Sequence, residues 1–239
     1  MFDFILNKSI SVEKIPHEDP EICVYVIDDF IENPSQLIDY ARNKAYFGRV
    51  GDDKTAYPGI RDRLPTAYED ILNQALKLVF VEQAATIHRS MLSLTTLNPS
   101  QLSTLQKMPH VDALGNSQFA SVHYLCDKEH GGTAIYRYTK KNLVRLREEN
   151  YDVISEMVEQ VKNSPEEHSG YLTEDTSLFK RELLIEARLN RLIVYPSNLL
   201  HCAVLSSPRS LLNNVAEGRL SVASFFRLED SAINQLASL

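Results

Sequence analysis

Apolar and polar positions change their period about a third of the way along the chain. Residues 22–27 first form a β-branched run that predicts a strand. Apolar residues then recur at helical spacing in two segments. The first follows Asn33 and Pro34, a good N-cap residue and a residue favoured at the first helical position. The second begins at Thr66, where Thr-x-x-Glu has the form of a capping box. The pattern predicts a largely helical part over about 1–86.

Short β-branched and aromatic runs predict strands in the rest of the chain. Helical spacing returns only between residues 140 and 162, and a polar stretch follows it. Strands, a helical insertion over about 140–181 and strands again predict one antiparallel barrel or jelly roll over about 87–239, within a single domain of 1–239. We expect the insertion to form a helical cover over or beside the barrel mouth. The strand runs are 88–97, 118–126, 133–138, 182–188, 191–197 and 219–226.

Composition narrows the class of protein. With 239 residues, 44% of them hydrophobic, the chain can bury one sizeable core. A formal net charge of −7 and the lack of a Lys/Arg-rich tract argue against a nucleic-acid partner. The start of the sequence does not have the form of a signal peptide, and no apolar run reaches the length of a membrane span. We therefore expect a cytoplasmic protein with no membrane contact.

The tripeptide His110-Val111-Asp112 is the strongest chemical signal. In extended backbone, positions i and i+2 point to the same side, so an imidazole and a carboxylate can converge on one ion. His201 follows an apolar strand and a Pro-Ser-Asn turn, where a side chain can face a barrel mouth. Two histidines and one carboxylate on one face of an octahedron leave three positions open, as in non-haem iron oxygenases.

The remaining histidines are weaker candidates as metal ligands. His123 is adjacent to Tyr124 in a predicted strand, so the two side chains point to opposite faces. His130 lies in a polar turn, which predicts a solvated side chain. The others have no partner at ligand spacing, and a surface or core role is expected for each. They are His17, His88 and His168.

Residues 109–226 resemble the catalytic barrel of the 2-oxoglutarate/Fe(II)-dependent oxygenases, particularly the prolyl-hydroxylase-like branch. The matching pieces follow the order of that family and cover about half of the chain. The resemblance implies a mainly β, double-stranded β-helix (jelly roll, cupin-like) with flanking helices, Fe(II) as cofactor and 2-oxoglutarate as co-substrate. The pieces are His110-Val111-Asp112, Tyr124-Leu125, Gly131-Gly132-Thr133, His201 and Glu217-Gly218-Arg219-Leu220-Ser221.

The resemblance also implies roles for single residues. His110, Asp112 and His201 would be the catalytic metal ligands. Arg219 would bind the far carboxylate of 2-oxoglutarate through its planar fork, with Ser221 as a further donor on the same strand face. The family's mechanism would then hydroxylate a C–H bond and release succinate and CO₂.

Four further residues bear on the co-substrate and the substrate. Tyr124 is a second candidate for the co-substrate, with a half-buried sheet position as the alternative. Arg209 is the rival of Arg219, but it lies in a turn sequence that predicts an exposed loop. Tyr57 and Arg61 flank a rigid Pro-Gly turn and are candidates for substrate recognition, or parts of an ordinary loop.

Two other function classes stay open. A cupin-like metal-dependent hydrolase or isomerase could use the same ligands without a co-substrate, and a catalytically silent jelly roll could bind without reacting. We expect a small-molecule, amino-acid or peptidyl substrate. The sequence carries no motif that identifies it, and none that sets the oligomeric state.

Overall fold

The computed structural model describes residues 4–229, which form two antiparallel sheets and three α-helices. The helices are α1 (Pro34–Asn43), α2 (Thr66–Val79) and α3 (Val153–Lys162). The strands are β1 (Val12–Lys14), β2 (Tyr25–Ile27), β3 (Gly59–Arg63), β4 (Ala85–Thr95), β5 (Gln118–Tyr124), β6 (Gly132–Tyr138), β7 (Phe179–Glu186), β8 (Leu192–Pro196), β9 (His201–Val204) and β10 (Leu220–Leu228).

The two sheets pack face to face as a jelly-roll-like β-sandwich. The large sheet has the strand order β1-β2-β8-β5-β10-β4-β3, and the small sheet has the order β7-β6-β9. The chain passes from the large to the small sheet between β5 and β6. Gly131 makes this passage possible, because its φ is +91° and a Cβ there would lie 1.8 Å from the Val204 carbonyl oxygen. The mainly antiparallel β architecture expected from the sequence is therefore present.

Helices α1 and α2 cover the outer face of the large sheet. Leu72 and Leu76 of α2 belong to the same buried cluster as Leu92 of β4 and Val222 of β10. Because side chains alternate along a strand, the neighbours of Val222 point to the other face, between the sheets. This alternation decides which residues of β10 reach the interior cavity.

The first third is less helical than the sequence pattern predicts. Both expected helices form, with 10 and 14 residues, but they share this part of the chain with β1, β2 and β3. The capping box at Thr66 does not form. Pro65 occupies the N-cap position in extended conformation, so Thr66 is already the first helical residue.

The insertion between β6 and β7 also contains less helix than its spacing suggests. Helix α3 begins only at Val153, and residues 140–152 contain just a short 3-10 turn at Glu148–Asn150. The polar stretch 163–177 forms neither helix nor strand, as expected. Within residues 4–229, none of the helices combines the length and apolar character that a membrane span requires.

His123 lies on the outer face of β5, buried beneath the helices. Its Nδ1 is 3.2 Å from the Tyr68 hydroxyl, and its Nε2 is 3.2 Å from Oδ1 of Asn190. Because Oδ1 of Asn190 can only accept, Nε2 carries the proton and Nδ1 accepts from Tyr68. His123 is therefore a neutral core residue, directed away from the cavity as the sequence predicts.

The burial of His123 should make the stability of the fold depend on pH. Burial lowers the pKa of His123 to about 4, whereas an unfolded histidine titrates near 6.5. The unfolded chain then binds the proton first, so the free energy of unfolding should fall as pH decreases from about 6.5 to about 4. The full shift corresponds to about 3 kcal/mol.

Urea unfolding at about pH 7.5 and about pH 4.5 measures this effect. The variant His123→Gln should start less stable and lose less stability on acidification than the wild type. The exposed His88 offers the matched control, because His88→Gln should keep the wild-type pH dependence. Equal losses in the wild type and His123→Gln would contradict the prediction.

Candidate metal centre

The backbone brings His110 and Asp112 beside the start of β9. His110 and His201 form an antiparallel bridge in which each backbone N–H donates to the other carbonyl at 2.9 Å. The Asp112 N–H donates to the carbonyl of Ser197 at 2.8 Å. These bonds fix the extended segment that carries the His-x-Asp pair, so both side chains emerge next to His201.

The three side chains converge at distances that suit a metal ion. Oδ1 of Asp112 lies 3.7 Å from Nε2 of His110, and Oδ2 lies 3.3 Å from Nε2 of His201. The three potential ligand atoms all lie within 4.8 Å of one another. Neighbouring ligands around an ion with bonds of about 2.1 Å are about 3 Å apart. The set could thus close on one divalent cation with little movement.

A hydrogen bond from the ring of His201 to the backbone orients this side chain. Its Nδ1 lies 2.8 Å from the carbonyl oxygen of Leu199 and donates to it. This contact places the lone pair on Nε2, the atom that faces Asp112. Metal-binding histidines almost always donate their other ring N–H to a carbonyl or carboxylate in this way.

The charges of the three groups affect one another strongly. Burial opposes ionisation of Asp112, but His201 and His110 overcome this and hold the pKa of the carboxyl group well below its usual range. The surrounding protein removes water from part of the His110 ring, and this effect, followed by that of the neighbouring His201, lowers the pKa of His110. Burial alone would also lower the pKa of His201, yet the Asp112 carboxylate raises it overall. Asp112 is therefore an ionised carboxylate available to a cation.

The His-Asp-His set opens into a cavity of about 410 Å³ between the two sheets. The side chain of His201 is 6% exposed, whereas that of His110 is 51% exposed. Access to the set is therefore from the His110 side. A volume of this size suits a small organic ligand.

Arg219 reaches the same cavity from the start of β10. The residue is 3% exposed, and its Nη2 donates to the carbonyl of Gly132 at 3.1 Å. Its Nε is buried without a hydrogen-bond partner, and Arg219 has no carboxylate within ion-pair distance in the described part of the chain. A buried guanidinium in this state is costly unless a ligand supplies the anion.

Two hydroxyl groups line the cavity with Arg219. Ser221 lies two residues along the strand from Arg219, as the alternation predicts, and Thr133 approaches from β6. The Tyr124 hydroxyl donates to Oγ1 of Thr133 at 2.7 Å, so the Thr133 hydrogen is free for another acceptor. Thr133 belongs to the Gly131-Gly132-Thr133 piece of the family resemblance, but the sequence did not indicate a role for its hydroxyl group.

Tyr124, a candidate for the co-substrate with a sheet position as the alternative, lies behind the cavity lining. It is fully buried and is not among the residues that line the cavity. Its ring lies behind Thr133, with its centroid 5.8 Å from the Arg219 guanidinium carbon. The geometry therefore suits a residue that positions Thr133 and Arg219 rather than one that touches a ligand.

Tyr57 and Arg61 both line the cavity. The Arg61 guanidinium stacks on the Tyr57 ring at 4.0 Å, and its Nη1 lies 3.4 Å from Oδ2 of Asp53. Burial lowers the pKa of Arg61, and the acidic groups Asp53 and Asp112 oppose that shift. Arg61 is thus a charged side chain whose charge is largely balanced by Asp53, and it lies near the candidate metal ligands.

The insertion contributes an apolar wall to the cavity. Ile154 and Met157 of α3 line it, and so do Leu146 before the helix and Leu172 after it. Part of the 140–181 insertion therefore lies against the cavity, and only part of the segment is helical. Apolar residues at this position can keep water away from a bound ligand.

Tyr195 of β8 is a site residue that the sequence analysis missed. It lines the cavity, and its ring packs edge-on against His201 with the centroids 4.8 Å apart. Its cross-strand partner is Ala120, whose small side chain leaves room for the ring. The alternation of β8 was readable in the sequence, but nothing local showed which of its faces would meet His201.

The other histidines are not in the metal set. His130 was expected to be solvated but is buried, at 8% exposure, because the turn that carries it packs under the loop before β10. His168 is also buried and packs against Phe179. His88 is exposed, and His17 lies near Glu182. In residues 4–229, the one group that could hold a metal ion is His110, Asp112 and His201.

Comparisons with known proteins identify a family model that matches most of the chain. A family model described as "Family of unknown function (DUF6445)" matches residues 8–226. No curated protein is similar in sequence. One solved structure that matches is the crystal structure of the non-heme alpha ketoglutarate dependent epimerase SnoN from nogalamycin biosynthesis. It shares 9% sequence identity at a TM-score of 0.46, and the match covers 85% of this chain and 76% of the other.

Proposed function

The chain belongs to the family DUF6445, and we propose that it is a non-haem Fe(II) and 2-oxoglutarate-dependent dioxygenase that hydroxylates an organic substrate. One observation carries the proposal. A His-Asp-His set and a buried arginine without a carboxylate partner line the same cavity. In this proposal the jelly-roll-like sandwich is a double-stranded β-helix, with the metal between its sheets.

The residues present fit a divalent iron. Two imidazole nitrogens and one carboxylate oxygen are the facial ligand set of non-haem Fe(II) oxygenases, which leaves positions for other ligands. The hydrogen bond from His201 to Leu199 supports the ligand role, because it presents Nε2 to the ion. The opening on the His110 side would give further ligands of the ion access from the cavity.

The residues around Arg219 fit the far carboxylate of 2-oxoglutarate. The unpartnered Nε of Arg219 and the hydroxyl groups of Thr133 and Ser221 could supply three donors to one carboxylate. Tyr124 would hold this group in place through its hydrogen bond to Thr133. A simple metal hydrolase or isomerase has no need of such an anion site, which favours the oxygenase over that alternative.

Each group would have a defined task. Bound iron would supply the site at which O₂ and 2-oxoglutarate react: one oxygen atom of O₂ would enter succinate as CO₂ is released, and the other would be inserted into a C–H bond of the substrate. His110, Asp112 and His201 would hold the ion, and Arg219 would orient the co-substrate. The packing of Tyr195 against His201 would keep that imidazole fixed. The apolar wall from the insertion would exclude water from the reacting groups.

A structural and a chemical measurement test the proposal together. Crystals soaked anaerobically with Fe(II) and N-oxalylglycine should show density between the His-Asp-His set and Arg219. In the presence of O₂, the iron-loaded protein should also convert 2-oxoglutarate to succinate and CO₂. Tight zinc binding with no N-oxalylglycine density and no succinate would instead favour a hydrolase or isomerase. A folded protein that binds no metal would indicate a silent binding module.

A further inference from the structure

A second arginine, Arg89, enters the cavity at a distance from the metal ligands. It lies on β4 directly opposite Phe225 of β10, and both residues line the cavity. Its guanidinium carbon lies 4.8 Å from the centroid of the Phe225 ring. This stacking holds the planar fork over an apolar surface.

Arg89 differs from the other two cavity arginines in its charge balance. Among residues 4–229, no hydrogen bond or ion pair joins the Arg89 side chain to another residue. Arg61 is balanced by Asp53, and Arg219 would be balanced by 2-oxoglutarate, on which this argument rests. Asp112 and the other carboxylate of 2-oxoglutarate would offset a divalent ion. When the metal ion and 2-oxoglutarate are bound, Arg89 is therefore a cavity cation with no anion to pair with it.

The sheet register places Arg89 in a row of inward residues that ends at the metal centre. Arg89 faces Phe225, Phe225 faces Ala120, and Ala120 faces Tyr195, which contacts His201. The two ends of this row, Arg89 and Tyr195, are three strand spacings apart, which is about 14 Å. The middle of the row is apolar. A ligand that spans it needs an anionic end at Arg89 and an extended apolar body.

We propose that Arg89 binds the carboxylate of the primary substrate, which is an amphipathic carboxylic acid whose apolar body lies over Phe225 and Ala120 toward the metal centre. Burying that body against Phe225 and the apolar wall of the insertion favours binding. The carboxylate determines which end of the substrate stays away from the iron. The inference thus gives the proposed oxygenase both a substrate class and an orientation for the substrate.

The test uses octanoate as the acidic probe and octanamide as its neutral counterpart. Both are titrated calorimetrically into protein loaded with Mn(II) and N-oxalylglycine. Wild-type protein should bind octanoate at least about tenfold more tightly than octanamide, and Arg89→Gln should remove that preference. Arg227, an exposed arginine of β10, provides the control, because Arg227→Gln should keep the wild-type preference.

The outcomes separate this inference from the proposed function. If Arg89→Gln binds Mn(II) and N-oxalylglycine like the wild type but also keeps the wild-type affinity for octanoate, the substrate assignment alone is overturned. The same holds if the wild-type protein binds octanamide as tightly as octanoate, or binds neither. If the wild-type protein does not bind N-oxalylglycine, the proposed function itself fails.

Discussion

Replacing His110 with alanine is expected to abolish stoichiometric Fe(II) binding while the protein stays folded. His110 is a suitable position because its side chain is 51% exposed, and in the described residues its ring makes no hydrogen bond beyond its approach to Asp112. Removing a residue that only hydrogen-bonds to a metal ligand typically lowers metal affinity by about 10–100-fold. Removing a ligand itself should therefore lower the affinity by more than about 100-fold. Hydroxylation and succinate formation should fall with the metal content.

The same result is expected for His201→Ala, with a larger effect on stability. His201 is buried, and the substitution removes the hydrogen bond to Leu199, worth about 1 kcal/mol. Anaerobic Fe(II) titration measures the metal, and circular dichroism with thermal unfolding measures the fold. The exposed His88 again supplies the control, since His88→Ala should bind iron normally. Tight stoichiometric iron in His201→Ala would disprove the ligand assignment.

The three candidate metal ligands could be found in the sequence because their signals are local. The His-x-Asp spacing of His110 and Asp112 requires only that the segment be extended. The position of His201 after an apolar strand and a turn is also a local feature. What the sequence lacks is the backbone bridge between His110 and His201, which the structure provides. Local pattern thus identified the residues, and long-range pairing accounts for their convergence.

Other cavity residues could not be identified because they depend on strand register. Thr133, Tyr195 and Arg89 lie on three strands that are far apart in sequence. Tyr195 and Arg89 stand in no motif, and the motif that contains Thr133 does not mark it as a ligand-binding residue. Their neighbours across the sheet decide their role, as Phe225 does for Arg89. A shift of one residue would have turned each side chain to the opposite face.

Tertiary contacts also explain why helical spacing failed in the insertion. Leu143 and Leu146 have the spacing of a helix, but their segment is extended. The Leu146 N–H donates to the carbonyl of Asn198, and the Leu200 N–H donates to the carbonyl of Val144. These bonds to the loop before β9 replace the hydrogen bonds that a helix would make. The apolar spacing reflects burial against the small sheet.

Arg219→Ala should weaken 2-oxoglutarate binding by about 30-fold or more, whereas Arg209→Ala should leave it unchanged. Arg219 is buried and faces the cavity with an unpartnered Nε. Removing one partner of a buried charge pair typically costs 2–5 kcal/mol. The side chain of Arg209 is 59% exposed and lies 3.9 Å from Glu217, outside the cavity lining. The two variants therefore form a matched pair.

The measurement is a 2-oxoglutarate titration of the anaerobic Fe(II) protein, followed through the metal-to-ligand absorption band. Fe(II) affinity in the absence of 2-oxoglutarate should be the same in both variants, because neither arginine belongs to the His-Asp-His set. Arg219→Lys should recover part of the lost affinity, since it restores the charge without the planar fork. A normal titration in Arg219→Ala would show that another group binds the far carboxylate. Arg61 would then be the next candidate, because it is the other buried arginine near the metal ligands.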